Sequence, residues 1–423
     1  MLPVSAEEGH IEGREMTAIL REVVQRLAAI HRPPCSPGER EAALWLGERL
    51  RRIEGVSVTL EDEPSWGTFP PTATGLGLLG LLAAALVSRG RRVLGSLLAV
   101  LGLAGIVDEA QNGPRIVRRL LRRRRTTVNV IGSIGDPDAE RTVVVIAHHD
   151  APQTGILFDQ GLQKRLYELM PERMSKAKTP FPQWWIGLAG PLCTILGALL
   201  GRRRLVRAGM ALGAFGTALV ADVWRSETVT GANDNLSGVA CLIALAELLS
   251  REPLPGLNVM LVSCGAEETL QDGIRAFMAR HGGELPPERT SFVNLDTVGS
   301  PHLVMLEGEG PIWMEHYAGE WLRDMLERAA QRLEIPLERG FLARASTDSV
   351  IPSRAGHPIA TLVSITDWRS PANYHLPSDI PANLDYATVA QATRLVHELM
   401  RELSTQVEHT ERTSGERPTV LPS

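Results

Sequence analysis

The sequence predicts an α/β fold, with a mixed, largely parallel central sheet, helices on both faces and two inserted apolar helical hairpins. Three observations carry this reading. Short β-rich runs alternate with helical periodicity along most of the chain, the pattern of a sheet covered on both sides. Several of those runs are apolar throughout and end in Asp, Glu or His. Four longer apolar stretches arrive as two pairs, each pair joined by a short basic turn.

The elements follow in chain order. Residues 1–15 are acidic and polar, carry no apolar core behind a basic start, and read as a disordered segment rather than a signal peptide. Met16–His31 repeats apolar side chains at helical spacing (Ile19, Val23, Val24, Leu27, Ile30). Pro33-Pro34 breaks that helix. Ser36-Pro37-Gly38-Glu39 opens a second one reaching Ile53, with Ser at the cap, Pro in the first turn and Glu three residues on. Val56–Leu60 alternates as a strand. The runs Val128–Ile134, Thr142–Ala147, Leu257–Ser263, Ser291–Leu295, Leu303–Leu306 and Ile359–Ile365 supply the rest of the sheet. Val239–Leu249 is helical after an Asn-Leu-Ser-Gly turn, and Leu384–Leu403 is a closing amphipathic helix. One domain over residues 16–404 holds these elements, and residues 405–423 read as a disordered tail.

The insertions span residues 72–108 and 183–224. Their apolar stretches are Thr74–Ser88, Val93–Val107, Trp184–Leu200 and Leu205–Val223. Each lies near or just under the roughly 18–20 residues that a spanning helix needs. Trp184 and Trp185 stand where an interfacial aromatic belt would place them. A membrane is therefore the expected partner of the hairpins; the alternative is that they pack together or form a dimer interface. Orientation by charge is close to a draw. Arg89, Arg91, Arg92, Arg202, Arg203, Arg204 and Arg207 mark the tips, while Arg115, Arg118, Arg119 and the run Arg122–Arg125 mark the other side. Cys35, Cys193, Cys241 and Cys264 match neither a disulfide framework nor a zinc knuckle. Free thiols favour a reducing compartment, hence a catalytic domain facing the cytoplasm. The formal net charge of −5 gives no reason to expect a nucleic-acid partner.

Five segments place chemistry at the ends of these strands. The apolar strand from Val143 ends in His148, His149 and Asp150, and residues two apart on a strand point the same way, so Asp150 can orient the His148 ring. Gly231-Ala-Asn-Asp-Asn-Leu-Ser-Gly238 is a turn-rich loop whose Asp234 offers hard oxygen donors. The strand from Val259 runs into Glu267-Glu268, two adjacent carboxylates that repel each other unless a cation or proton compensates. Asp296 ends another apolar strand, and His375 sits in a loop that continues to Asp379. Singly, each has a plain structural explanation. Together they gather where open α/β sheets assemble their sites. His148, Asp234, Glu268, Asp296 and His375 make the donor set for a pair of zinc ions about 3.5–4 Å apart.

The motifs HxD (His148, Asp150), GAxDNxSG (231–238), Glu267-Glu268 after a strand, Asp296 after a strand, and YHxxxD (374–379) resemble the M28 family of zinc metallopeptidases. They stand in that family's order and approximate spacing, across Ser36–Leu403 apart from the hairpins. The resemblance implies the dizinc exopeptidase fold and an aminopeptidase-type hydrolase acting on a peptide or amide with a free N-terminus. It implies that Asp234 bridges two Zn²⁺ ions, with His148 and Asp296 on one and Glu268 and His375 on the other. Glu267 would be the general base and Asp150 the partner behind His148. It also suggests a non-proline cis peptide at Asp234-Asn235. One segment departs from the pattern: in Ala345–Ser349, Ser349 stands where the family often has His. His149 occupies a variable place. Two other readings share the sequence: a single-zinc acyl transferase of the glutaminyl-cyclase kind, and a catalytically silent scaffold built on the same fold.

Overall fold

The computed structural model describes residues 6–180 and 183–415. Helices α1 (Ala6–Ala28) and α2 (Pro37–Arg51) lead to strand β1 (Ser57–Ser65), after which α3 (Pro70–Ser88) and α4 (Arg92–Ala110) form the first apolar hairpin. Helix α5 (Ile116–Leu121) precedes strands β2 (Arg125–Gly135) and β3 (Arg141–His148). Two short helices, α6 (Gly161–Leu169) and α7 (Pro171–Ser175), lead to the second hairpin, α8 (Trp185–Leu199) and α9 (Arg203–Arg225). Then come α10 (Ser237–Arg251), β4 (Leu257–Cys264), α11 (Asp272–His281), β5 (Thr290–Leu295) and β6 (His302–Glu309). The chain closes with β7 (Glu315–His316), α12 (Glu320–Arg332), β8 (Glu338–Ala343), α13 (Val350–Arg354), β9 (Ile359–Ile365) and α14 (Tyr386–Gly415).

The sheet runs β1-β2-β4-β3-β5-β9-β6-β7, with β8 beside β6. Its middle is parallel: β3 pairs with β4 and β5, and β5 with β9. The outer pairings β1–β2, β2–β4 and β6–β9 are antiparallel. β3 is apolar without alternation because both of its faces are covered. Val143, Val145 and Ala147 join a core shared with α1, α2, α10, α12 and α14, while Val144 and Ile146 join a core with α11. The fold expected from the alternating runs is therefore the fold observed.

Several boundaries differ, for physical reasons. β1 continues past Leu60 through Glu61-Asp-Glu-Pro-Ser65 because it is an edge strand, where Asp62 stays exposed and Pro64 loses no ladder partner. His281 and Arg280 of α11 hold Glu61 and Glu63 there. Of the termini read as disordered, residues 1–5 and 416–423 lie outside the described residues. In between, α1 takes in residues 6–15 and α14 runs on to Gly415. Glu15 accepts a hydrogen bond from Arg251 at 2.9 Å, tying the middle of α1 to the end of α10.

The hairpins pack as one four-helix unit, α3 against α4 and α9, and α8 against α4 and α9. Glycine lets two of these helices touch, since a Cβ at Gly190 would fall 2.6 Å from Gly213 Cα. The unit's outer surface keeps Leu78, Leu82, Val93, Leu97, Leu101, Leu199 and Phe215 exposed. An apolar belt of that extent marks an interaction surface. By length and composition α3, α4, α9 and Ala232–Arg251 are able to cross a membrane, but the last is 89% buried against 39%, 39% and 28% for the others. It is a core helix. The expected fourth stretch, α8, has 15 residues, about 22 Å of rise, and falls short of a full crossing on its own. The arginine count also changes. Arg115 and Arg118 are buried and paired with Asp272 and Glu109, so they are structural ions rather than surface charges.

Two substitutions separate core from belt. Leu245→Ala, in the fully buried heart of α10, is expected to cost about 2–5 kcal/mol. Leu101→Ala, on the exposed face of α4, is expected to change stability by less than about 0.5 kcal/mol. Thermal melts of the detergent-solubilised variants measure both, and equal losses would contradict this assignment.

Candidate metal centre

The parallel strands all point their C-terminal ends at one place, and the chemistry-bearing residues collect there. β3 delivers His148, β5 delivers Asp296, and the turn after β4 delivers Glu267 and Glu268. The loop before α10 brings Asp234, and the loop after β9 brings His375. His148 Nε2 lies 3.2 Å from Asp234 Oδ1, and His375 Nε2 lies 3.1 Å from Asp234 Oδ2. Glu268 Oε1 is 3.7 Å from His375 Nε2. His148, Asp234 and Asp296 offer donor atoms within 4.8 Å of one another, and so do Asp234, Glu268 and His375. Asp234 belongs to both groups. Glu267 forms a third group with His148 and Glu268, its Oε2 standing 4.0 Å from His148 Nε2. All seven residues singled out by sequence thus sit in one cluster, and His149 points elsewhere, its Nδ1 at 2.9 Å from Ser263 Oγ.

The cluster is held by groups around it. Asp150 Oδ1 lies 3.3 Å from His148 Nδ1, and the Asp150 carboxylate also accepts the backbone N–H of Glu267 and of Glu268, each at 3.0 Å. One carboxylate therefore fixes two strand ends. Asp379, the last residue of the YHxxxD motif, accepts the N–H groups of Asn233 (2.7 Å) and Asp234 (3.1 Å). Asn235 donates to Leu295 O at 2.9 Å and accepts from Gly238 and Thr297, locking the loop onto β5. The peptide bond Asp234-Asn235 is cis. Ala266, Leu270, Gln271, Thr297, Asn373 and His375 all have positive φ, the concentration of unusual backbone that functional loops show.

Three supporting residues escaped the sequence reading. Arg32, fully buried, donates to His149 O and Gly231 O at 2.8 Å each, so the end of α1 joins two site loops. Nothing in the sequence marks it, because its partners are backbone carbonyls far along the chain. Glu39 looked like a capping residue, and its N–H does take Ser36 Oγ at 3.1 Å. Its carboxylate, however, accepts from Cys35 N, Thr127 Oγ1 and Ala266 N, propping the left-handed turn that precedes Glu267. Gln271 donates to Glu267 Oε1 and to Ser346 O.

Electrostatically the site is overloaded. Asp150, Asp234, Glu267, Glu268, Asp296, Asp348 and Asp379 crowd together, with Arg32 as the cation behind them. Burial pushes Asp296, Asp348 and Asp379 up to about 7 each. Burial and neighbouring carboxylates hold Glu267 and Glu268 well above the usual range. Asp234 goes the other way: burial would raise it, but hydrogen bonds from His148 and His375 bring it below the usual carboxylate value. Both oxygens of Asp348 are buried with no hydrogen bond among the described residues. Nitrogen and carboxylate donors that converge this closely, with too few counter-charges, fit divalent cations such as zinc.

Two cavities meet at the cluster. One, about 980 Å³, is lined by Leu306, Phe341, Val363 and Ile365 beside Asp234 and Asp296. The other, about 1260 Å³ with its open mouth, starts at Glu267, Glu268 and His375 and continues between the hairpin helices. The second hairpin forms a wall of this second cavity.

The model of "Peptidase family M28" matches residues 216–400, a span that includes Asp234, Glu267, Glu268, Asp296 and His375. No curated protein sequence matches the chain. Among solved structures, the chain resembles a Zn-dependent exopeptidase from Parabacteroides distasonis at 15% identity, covering 91% of this chain and 97% of that one, with a TM-score of 0.50. An aminopeptidase from Aneurinibacillus sp. strain AM-1 is similar at 14% identity, with 90% and 92% covered and a TM-score of 0.52. A glutaminyl cyclase from Bacteroides thetaiotaomicron is also similar at 14% identity, with 92% and 97% covered and a TM-score of 0.51. These likenesses establish the fold. The family match covers residues 216–400, the stretch that carries four of the five candidate metal donors.

Proposed function

We propose that this chain is a zinc-dependent hydrolase that cleaves the amide bond after a free N-terminal residue, and that it works at a membrane. The observation that carries the reading is the pair of donor groups that share Asp234. His148, Asp234 and Asp296 would hold one ion, and Asp234, Glu268 and His375 the other. Two zinc ions held there would acidify water and polarise the scissile carbonyl.

The chain's own residues do the rest. Glu267 is the general base: it takes the proton from the attacking water and returns it to the leaving nitrogen. Burial and the carboxylates of Asp348, Asp296 and Asp150 raise its affinity for a proton, and Gln271 fixes one of its oxygens. Asp150 orients His148 and holds Glu267 and Glu268 by their amides, so both are set before substrate arrives. The pocket lined by Leu306, Phe341, Val363 and Ile365 suits an apolar N-terminal side chain.

Single-zinc acyl transfer of the glutaminyl-cyclase kind needs only one of the two donor groups, and a silent scaffold needs neither; the retention of both favours hydrolysis. The exposed belt on α3, α4, α8 and α9 supports membrane association, and the four free thiols support a catalytic domain on the cytoplasmic side.

Glu267→Gln is expected to retain two zinc equivalents by elemental analysis yet lose at least about 100-fold in kcat on leucyl-nitroanilide. A variant of unchanged rate would remove Glu267 from the mechanism, and wild-type protein without zinc would remove the mechanism itself. Chelation should lower the Tm, increasingly so as pH rises. The carboxyls of Asp348 and Asp379 are raised to about 7 in the fold against 3.8 for the free side chain, so ionising them costs the folded state. The metal-free protein therefore loses stability between about pH 4 and 7 as pH increases. Melts of chelated and zinc-loaded protein at pH 5.5 and 7.5 should show the larger drop for the chelated form. For orientation, a cysteine placed at Arg89 or Arg203 is expected to react with an impermeant maleimide in intact cells; protection there with labelling only after lysis would reverse the topology.

A further inference from the structure

The cavity between the hairpin helices has a polar end and an apolar end. One end carries Glu267, Glu268 and His375, with Gln271, Arg344 and Ser346 nearby. Its depth is walled by Gly80, Gly187, Pro191, Gly209, Gly213 and Val220. Along α9 the lining runs from Val220 to Gly209, about 16 Å at the helical rise. The one hydroxyl among the deep lining residues, Thr217 Oγ1, is already committed to Gly213 O at 2.7 Å.

Helix packing alone does not explain all of these glycines. Gly190 and Gly213 bring two backbones together, as small residues do between apolar helices. Gly80 and Gly187 do not: a Cβ at Gly80 would meet only Pro191 Cγ at 3.6 Å, and one at Gly187 only Ile106 Cγ2 at 3.8 Å. Among common residues only proline is a poorer helix former than glycine. At these two places it leaves open a space that a leucine would fill.

Building on the hydrolase reading above, we propose that the substrate is an aminoacyl amide whose leaving amine carries a long alkyl chain, and that this chain lies in the slot inside the bundle. The N-terminal side chain then occupies the pocket at Leu306, Phe341, Val363 and Ile365, and the scissile amide sits at the cluster where the two cavities meet. A peptide tail is the poorer occupant. Between the helices few of its buried N–H and C=O groups would find a partner, since glycine and aliphatic residues outnumber Gln183, Trp184 and Thr217 there, whereas methylene groups need none. Hydrolysis is balanced by water alone. The amide C–N bond breaks, the water oxygen remains on the carbonyl carbon as a carboxylate, and both water protons go to the alkylamine, which leaves as an ammonium ion.

The test uses full-length protein in phosphatidylcholine nanodiscs and leucyl-alkylamides from ethyl to dodecyl, with release of leucine as the signal. kcat/KM is expected to rise at least about 100-fold across the series, a modest share of what ten buried methylenes can supply. Gly80→Leu and Gly187→Leu are expected to flatten that rise. A second readout needs no turnover: dodecylamine brominated on its chain should quench Trp184, which lines the slot, and the quenching should fall in Trp184→Phe and in Gly187→Leu. Equal rates at every chain length, or a clear preference for oligoleucine peptides, with no Trp184-dependent quenching, overturns the proposal and leaves the hydrolase standing. Failure to release leucine from any amide instead overturns the hydrolase reading, and the quenching then still decides whether the slot takes an alkyl chain.

Discussion

The constraint on which everything else depends is the repulsion among carboxylates gathered at the ends of parallel strands. Asp150, Asp234, Glu267, Glu268, Asp296, Asp348 and Asp379 are held within one buried region, a placement that burial and Coulomb repulsion both oppose. Much of the surrounding architecture answers that opposition. Arg32 brings a buried cation and ties α1 to two loops. Backbone amides of Asn233, Asp234, Glu267 and Glu268 are spent on Asp379 and Asp150. What protein groups leave uncompensated is the opening for divalent cations.

The rigid sheet is what makes such crowding tolerable. β3, β4, β5 and β9 are covered on both faces by two separate apolar cores, so their ends cannot splay apart to relieve the charge. The positive-φ turn at Ala266, propped by Glu39, then aims two adjacent glutamates in different directions. Glu268 joins Asp234 and His375, while Glu267 faces His148 and is gripped by Gln271.

The hairpins add a second level to this design. They are not appended at a distance: α3, α8 and α9 build the wall of a cavity that begins at the candidate metal centre. An outer surface of exposed leucines and an inner surface of glycines give the four-helix unit two different apolar faces, one for a surrounding medium and one around a slot. Buried ion pairs at Arg115 and Arg118 fasten the foot of the first hairpin to the domain, which keeps slot and metal centre in register.

By itself the sequence determined the alternation of strands and helices, the two apolar insertions, and the residues of the candidate site. These follow from short-range properties: apolar periodicity, turn chemistry, and an acid or histidine directly after a buried strand. Asp234 and Glu268 were legible because each stands in a local pattern. Arg32, Glu39 and Gln271 were not, because their partners lie far off in sequence, at His149, Ala266 and Ser346. The same reason hid the difference between the exposed apolar face of α3, α4 and α9 and the equally apolar Ala232–Arg251, which is core. Composition sees an apolar helix; only packing decides what covers it. Tertiary structure alone also joined the hairpins to the site, because a cavity belongs to surfaces brought together by folding and to no single stretch of chain.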